Sequence, residues 1–252
     1  MKIKRILVSQ PKPTTEKSPY FDICEKYNVK IDFRPFIKVE PVLAKEFRTQ
    51  RVSILDHTAI IFSARHGIDH FFRLCEEMRI VVPETMKYFC YSESIAVYLQ
   101  RYIHYLKRKV FFGASGKLPE LITIINKHPE EKYLFVTSDV QNEETLSWLE
   151  KTKVSINKAV MYKTVSNDFE PGEDFNYDML LFFSPVGIAS LLKNFPNFEQ
   201  GDIQLGCFGA TTAQAVKDAG LRLDLEAPIP GVPSMTMALD NFLKEHTKKV
   251  RK

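Results

Sequence analysis

Hydrophobic residues along this chain fall in short unbroken runs, and each run is followed by a stretch in which they recur every three or four positions. "RILVS" precedes "PYFDICEKYN", "AIIFS" precedes "GIDHFFRLCEEM", "YFCYS" precedes "SIAVYLQRYIHYL", "YLFVTS" precedes "EETLSWLEKT", and "MLLFFS" precedes "GIASLLKNF". The runs have strand length and leave no polar face, so they read as strands buried on both sides; the periodic stretches read as amphipathic helices. Their alternation predicts an α/β fold with parallel sheets covered by helices on both faces.

The order of units repeats. "ILVS", a helix and the extended segment "VKIDFRPFIKVE" (Val29 to Glu40) are followed by "IIFSARHGIDHFF" and "CYSESIAVYL". Later "LFVTS", a helix and "VSINKAVMYKTV" (Val154 to Val165) are followed by "LLFFSPVGIASLL" and "CFGATTAQAV". Phe183 lies 121 positions after Phe62, and Cys207 lies 117 after Cys90, so the copies agree within short loop differences. A repeat of this length marks a duplicated domain. "DFRPFIKVE" and "KAVMYKTVS" hold equivalent places in the copies and alternate apolar with polar residues, as two paired strands crossing between lobes would.

Length agrees with duplication: 252 residues, 44% of them hydrophobic, make two lobes of about 120 each, near the usual domain size. No apolar run reaches the roughly 18 residues of a membrane span, and "MKIKRILVSQP" has too short an apolar core for a signal peptide, so a cytoplasmic protein is expected. Cys24, Cys75, Cys90 and Cys207 show no C-x-x-C pairing and read as reduced, mostly buried thiols. A net charge of +4 is too small to mark a nucleic-acid binder and is compatible with a polyanionic small ligand. The basic stretch "QRYIHYLKRK" reads as a helix ending in cations that suit its C-terminal dipole. His66 and His70 lie four apart and could share a helix face, but no third metal ligand accompanies them. "GASG" (Gly113 to Gly116) lacks the Lys-Ser/Thr ending of a nucleotide-binding loop and reads as a turn.

The motifs "ILVSQP", "IIFSARHGIDHFF", "AVMYKT", "MLLFFSPVGIASLL" and "CFGATTAQAVKDAGL" followed by "EAPIPGVPSMTMAL" resemble the uroporphyrinogen-III synthase family over essentially the whole chain. The last three, in this order and spacing, are the specific ones. The resemblance implies two similar doubly wound parallel-sheet lobes joined by a two-stranded β ladder, with the active site in the interdomain cleft. Residues 1–34 and 166–252 would form one discontinuous lobe, residues 40–159 the other, and residues 35–39 and 160–165 the linker strands. It also implies a lyase acting as a monomer on a small-molecule substrate, hydroxymethylbilane, with no cofactor, no metal, no nucleic acid and no membrane partner.

Hydroxymethylbilane is a linear tetrapyrrole with eight carboxylate side chains, whose hydroxymethyl end loses water to give an electrophilic azafulvene. The family's enzyme directs attack from the substituted carbon of the last pyrrole, through a spiro intermediate, so that this ring is inverted on closure. Selecting that product a hundredfold needs only about 3 kcal/mol, which positioning can supply. Carboxylates suit helix N-termini, so the resemblance points to the polar turns after the strands. The substrate-binding candidates are Ser63, Ser92, Ser184, Gly209, Thr211 and Thr212, with Ser9, Gln10, Ser94, Thr137 and Ser138 in similar turns. The ordinary alternative is that such hydroxyls cap helices. Tyr162 in "AVMYKT" matches the family's tyrosine and is the candidate catalytic residue, a general acid for the departing hydroxyl. Two departures stand out: Gln10 precedes Pro11 where many members carry arginine, and "YSESIA" places Glu93 where the second copy has "GATTA". They leave room for a non-catalytic tetrapyrrole-binding or regulatory paralogue of the same fold, or a two-lobed sensor of another anion.

Overall fold

A strand with no polar face must be covered on both sides, and both sheets of this protein meet that demand. The computed structural model describes residues 3–15, 17–114, 118–140, 145, 147, 149, 151–170 and 175–250. The chain divides into two compact units, Met1–Lys38 with Val165–Lys252, and Val39–Thr164. It begins with β1 (Arg5–Val8), α1 (Pro19–Tyr27) and β2 (Lys30–Phe33). Then follow β3 (Ile37–Pro41), α2 (Ala44–Thr49), β4 (Ala59–Phe62), α3 (Arg65–Glu77), β5 (Lys87–Cys90), α4 (Glu93–Tyr98), β6 (Val110–Phe112), α5 (Leu118–Ile125), β7 (Tyr133–Ser138) and β8 (Ile156–Ser166). The chain ends with β9 (Met179–Phe182), α6 (Pro185–Asn194), β10 (Gln204–Phe208), α7 (Ala210–Asp218), β11 (Leu225–Ala227) and α8 (Met235–Val250).

Among the described residues one sheet has the order β11-β10-β9-β1-β2 and the other β3-β8-β7-β4-β5-β6. All four pairs of the first sheet are parallel, as are β8·β7, β7·β4, β4·β5 and β5·β6. The α/β class and the parallel sheets expected from the alternation are borne out. So is the similarity of the halves: if β9, β10, β11, β1 and β2 are matched with β4, β5, β6, β7 and β8, the spatial order is the same in both sheets. The central strands β4, β7 and β9 are buried at every residue.

The two extended segments of the repeat part company in detail. "VKIDFRPFIKVE" is broken between β2 and β3, because Pro35 has no N–H to donate and restricts Arg34 before it. Phe36, in the break, is fully buried against the rings of Phe169, Phe175 and Phe182. The second copy is one continuous strand, β8, that pairs with β7 from Ile156 and borders β3 on its other side. The ladder strand is therefore an extension of a lobe's own sheet.

One helix is shorter than its periodicity predicts. "SIAVYLQRYIHYL" is helical only to Tyr98, followed by a 3-10 turn at Leu99–Arg101. Tyr102 stacks on Phe72 of α3 at 4.7 Å, and the hydroxyls of Tyr98 and Tyr102 both donate to Asp69 on that helix. These contacts compete with continuing the helix through Tyr102, Ile103 and Tyr105, residues of modest helix propensity. Lys107, Arg108 and Lys109 thus sit in a turn before β6, not at a helix end. The helix predicted at "EETLSWLEKT" and the "GASG" turn lie largely or partly outside the described residues.

β8 also carries an irregularity. Thr137 pairs with Val160 but Ser138 pairs with Tyr162, so Met161 is an extra residue opposite the Thr137–Ser138 step. The Gln50 side-chain amide, just past α2, donates to the Val160 carbonyl at 2.7 Å and accepts from the Val160 N–H at 2.9 Å. One side chain thus takes the place of a neighbouring strand. Gln50→Ala is expected to leave both Val160 groups without these partners and cost about 1–3 kcal/mol, seen as a lower urea midpoint at unchanged slope; an unchanged midpoint would show that Gln50 does not hold β8.

Candidate active site at the strand ends

In a parallel sheet the carboxyl ends of the strands lie along one edge, and each is followed there by the turn into its helix. In the Val39–Thr164 unit the chain passes from β4 to β5 and β6 in one direction, then returns to place β7 on the other side of β4. Such a reversal leaves a crevice at the strand ends. Ser63, the residue after β4, stands at it.

The extra residue in β8 brings Tyr162 to the same place. Alternation would send Met161 and Tyr162 to opposite faces. An extra residue re-aims the side chains beyond it, and Met161 and Tyr162 both join the core cluster that contains Phe62, Ile68 and Phe71. Tyr162 is 8% exposed. The Ser63 side chain lies near enough to its phenol to act on it. Burial raises the phenol's pKa above its ordinary value, and the nearby Ser63 side chain offsets this in part, so the group is a protonated donor at neutral pH. His70 of α3 stacks on the Tyr162 ring, with centroids 5.4 Å apart and planes 18° from parallel. The structure therefore unites two of the sequence candidates, Ser63 and Tyr162, and adds His70, which the sequence offered only as an incomplete metal ligand.

Ser92 follows β5 and precedes α4 without capping it; its hydroxyl lies 3.0 Å from that of Ser94. Glu93 is exposed in the first turn of that helix. Arg65, the first residue of α3, is exposed with its guanidinium 5.4 Å from the centre of the Tyr98 ring. A cation at a helix N-terminus opposes the dipole by about 0.3–1 kcal/mol, so Arg65 does not serve the helix. Sequence reasoning missed it, because arginine beside a histidine in "SARHG" carries no signal without the turn that exposes it. Ser138 commits its hydroxyl to the Val140 carbonyl at 2.5 Å.

In the other unit, β9 is followed by Ser184 and β10 by Gly209. The Ser184 hydroxyl accepts from the Gly187 N–H at 3.2 Å, so it caps α6. Gly209 has φ +93° and ψ 140°, a conformation nearly confined to glycine. Its carbonyl accepts from the N–H groups of Thr212 and Ala213 at 3.1 and 3.0 Å. Thr211 is exposed, whereas Thr212 is 1% exposed and turned into the unit, so of the two hydroxyls only that of Thr211 faces solvent. Cys75, Cys90 and Cys207 are buried free thiols, with pKa values pushed up by burial to about 12, 12 and 11. Among the described residues no three His, Cys, Asp or Glu side chains are grouped to hold a metal, and no helix is long and apolar enough to cross a membrane.

Burial lowers the His70 pKa, and Arg73 and His66 add to the effect while Asp69 opposes it. The folded state then binds this proton less tightly than the unfolded chain, whose histidines titrate near 6.5. Stability from this source is full above about pH 6.5 and is lost as pH falls below it. Urea titrations at about pH 7.5 and pH 5.5 are expected to show a larger acid-side loss in the wild type than in His70→Phe; equal losses would place the titration elsewhere.

Comparison with known proteins bears on this arrangement. The family model for uroporphyrinogen-III synthase HemD matches residues 19–237. Among solved structures, the uroporphyrinogen-III synthetase of Helicobacter pylori 26695 superposes with a TM-score of 0.60 at 15% identity, covering 96% of this chain and 100% of that one. A mutant uroporphyrinogen III synthase of the extremely thermophilic bacterium Thermus thermophilus gives a TM-score of 0.50 at 12% identity, covering 98% and 99%. Comparison with curated protein sequences gives no match. At these identities the structures speak for the fold, and the family model speaks for descent: this chain belongs to the uroporphyrinogen-III synthase family.

Proposed function

We propose that this chain has the activity of its family, cyclising hydroxymethylbilane to uroporphyrinogen III with inversion of the terminal ring and loss of water. The observation that carries the reading is the family match over residues 19–237, which takes in Tyr162 and every candidate hydroxyl from Ser63 to Thr212. Tyr162, protonated because it is buried, donates to the hydroxymethyl oxygen as its C–O bond breaks, and the oxygen leaves as water. The substituted carbon of the last pyrrole attacks the azafulvene, the spiro bond breaks, and the ring recloses inverted. The proton lost from the reclosing pyrrole carbon balances the one supplied to the leaving oxygen. A phenol with a raised pKa is a weak acid, so its part is assistance by hydrogen bonding. Arg65, exposed two residues after Ser63, is a partner for one of the substrate's carboxylates, as are the turns at Ser92 and Thr211. In this reading Ser184 acts through its cap and Thr212 through its backbone turn. Substrate chemistry of this kind needs neither a cofactor nor a membrane, and the enzyme works as a cytoplasmic monomer.

A second reading, a non-catalytic tetrapyrrole-binding or regulatory protein of the same fold, is favoured by Glu93, whose exposed carboxylate follows Ser92 directly. The readings separate when freshly generated hydroxymethylbilane is supplied, the products are oxidised and the isomers are resolved. The type III isomer is expected to predominate. Only type I at the uncatalysed rate would sink the enzyme reading, and a tetrapyrrole bound under those conditions would favour the regulatory one. In the same assay Tyr162→Phe is expected to lower kcat about tenfold with KM nearly unchanged, the loss of one hydrogen bond's assistance; an unchanged kcat would remove Tyr162 from the chemistry.

A further inference from the structure

His70 is placed unusually for a histidine beside a reacting group. Its Nδ1 is buried and has no hydrogen-bond partner among the described residues. Asp69, the adjacent carboxylate, is already occupied by the Tyr98 and Tyr102 hydroxyls at 2.9 and 2.6 Å. His70 is therefore not oriented by a carboxylate, as a proton-carrying histidine usually is. A buried N–H with no acceptor would be costly, whereas a buried lone pair costs less, so the tautomer with its proton on Nε2 is favoured. The ring lies in a near-parallel stack on Tyr162, 5.4 Å between centroids.

We infer that His70 is a positioning residue for Tyr162, a flat neutral ring that fixes the plane of the phenol and keeps its hydroxyl at Ser63. This rests on the proposed activity for its kinetic consequence, though not for the stack itself. Tyr162 needs such a support because its pairing with Ser138 comes directly after the register shift in β8, where an extra residue re-aims the side chain. The helix supplies that support at a fixed place: Ile68 and Phe71 of α3 are fully buried in the same core cluster as Tyr162. A displacement of about 1 Å at a catalytic group can cost on the order of a hundredfold in rate, so a ring that sets the phenol's plane has a measurable effect without touching substrate.

The test uses His70→Leu, which fills the space without a ring to stack, and His70→Phe, which keeps a ring. His70→Leu is expected to lower kcat for type III formation about tenfold with KM within about twofold, and His70→Phe to restore kcat to within about threefold of wild type. Because His70 acts through Tyr162, His70→Leu combined with Tyr162→Phe is expected to be no slower than Tyr162→Phe alone. Independent, multiplying losses would overturn the inference, as would a His70→Phe variant no better than His70→Leu. A second readout needs no activity: a ring-fluorinated tyrosine at position 162, followed by fluorine NMR. Its resonance is expected to stay near the wild-type position in His70→Phe and to move towards that of the free amino acid in His70→Leu. If the wild type makes only the type I isomer, the proposed function fails while this spectrum still decides the stack. An unchanged resonance in His70→Leu overturns the inference whatever the kinetics.

Discussion

Strands that run parallel cannot be joined by a tight turn; each must be followed by a crossover that carries the chain back to the other end of the sheet. In this protein that constraint decides where the candidate site lies. It stacks helices on both faces, which is why β4, β7 and β9 can be wholly buried. It also gathers every strand-to-helix turn of a sheet along one edge, so hydroxyls far apart in sequence, such as Ser63 and Ser92, become neighbours in position along that edge. Duplication multiplies the effect, because the same strand order and the same reversal occur in both units.

Within that framework the local irregularities shape the candidate site. A regular β8 would keep the alternation of Ala159 and Met161 inward and send Tyr162 outward. The extra residue opposite Thr137–Ser138 breaks the alternation, and the cost is contained by Gln50, whose amide satisfies both backbone groups of Val160. Tyr162 is thereby buried beside Ser63 and under the His70 ring, and its burial keeps the phenol protonated. A similar competition shortens α4. Tyr98 and Tyr102 satisfy Asp69, and their contacts with α3 outweigh the small gain from adding one more helical turn.

The two copies have diverged in how they use the same turn. After β10, Gly209 at positive φ makes a tight entry into α7 with Thr211 outside and Thr212 inside. After β5, Ser92 and Glu93 occupy the corresponding place and enter a helix of six residues. A glycine turn lets backbone N–H groups face a ligand, whereas a carboxylate at the first turn satisfies the helix dipole internally. Charge in the Val39–Thr164 unit comes instead from Arg65, one strand over.

Periodicity alone determined the fold class, the parallel sheets and the internal repeat, because apolar runs and their spacing are a direct record of which surfaces must be buried. The motifs were enough to point to the family and to Tyr162. Sequence could not reveal the extra residue in β8, since one inserted position in a strand leaves the apolar pattern of "KAVMYKTVS" readable in either register. Nor could it distinguish Thr211 from Thr212, or the capping Ser184 from Ser92, because identical hydroxyls differ in what packs around them: Ser184 accepts from the Gly187 N–H, whereas Ser92 meets the Ser94 hydroxyl. His70 looked like half of a metal site while its neighbours were counted along the helix. Tertiary packing decided otherwise, by bringing β8 across to lay the Tyr162 ring on its imidazole.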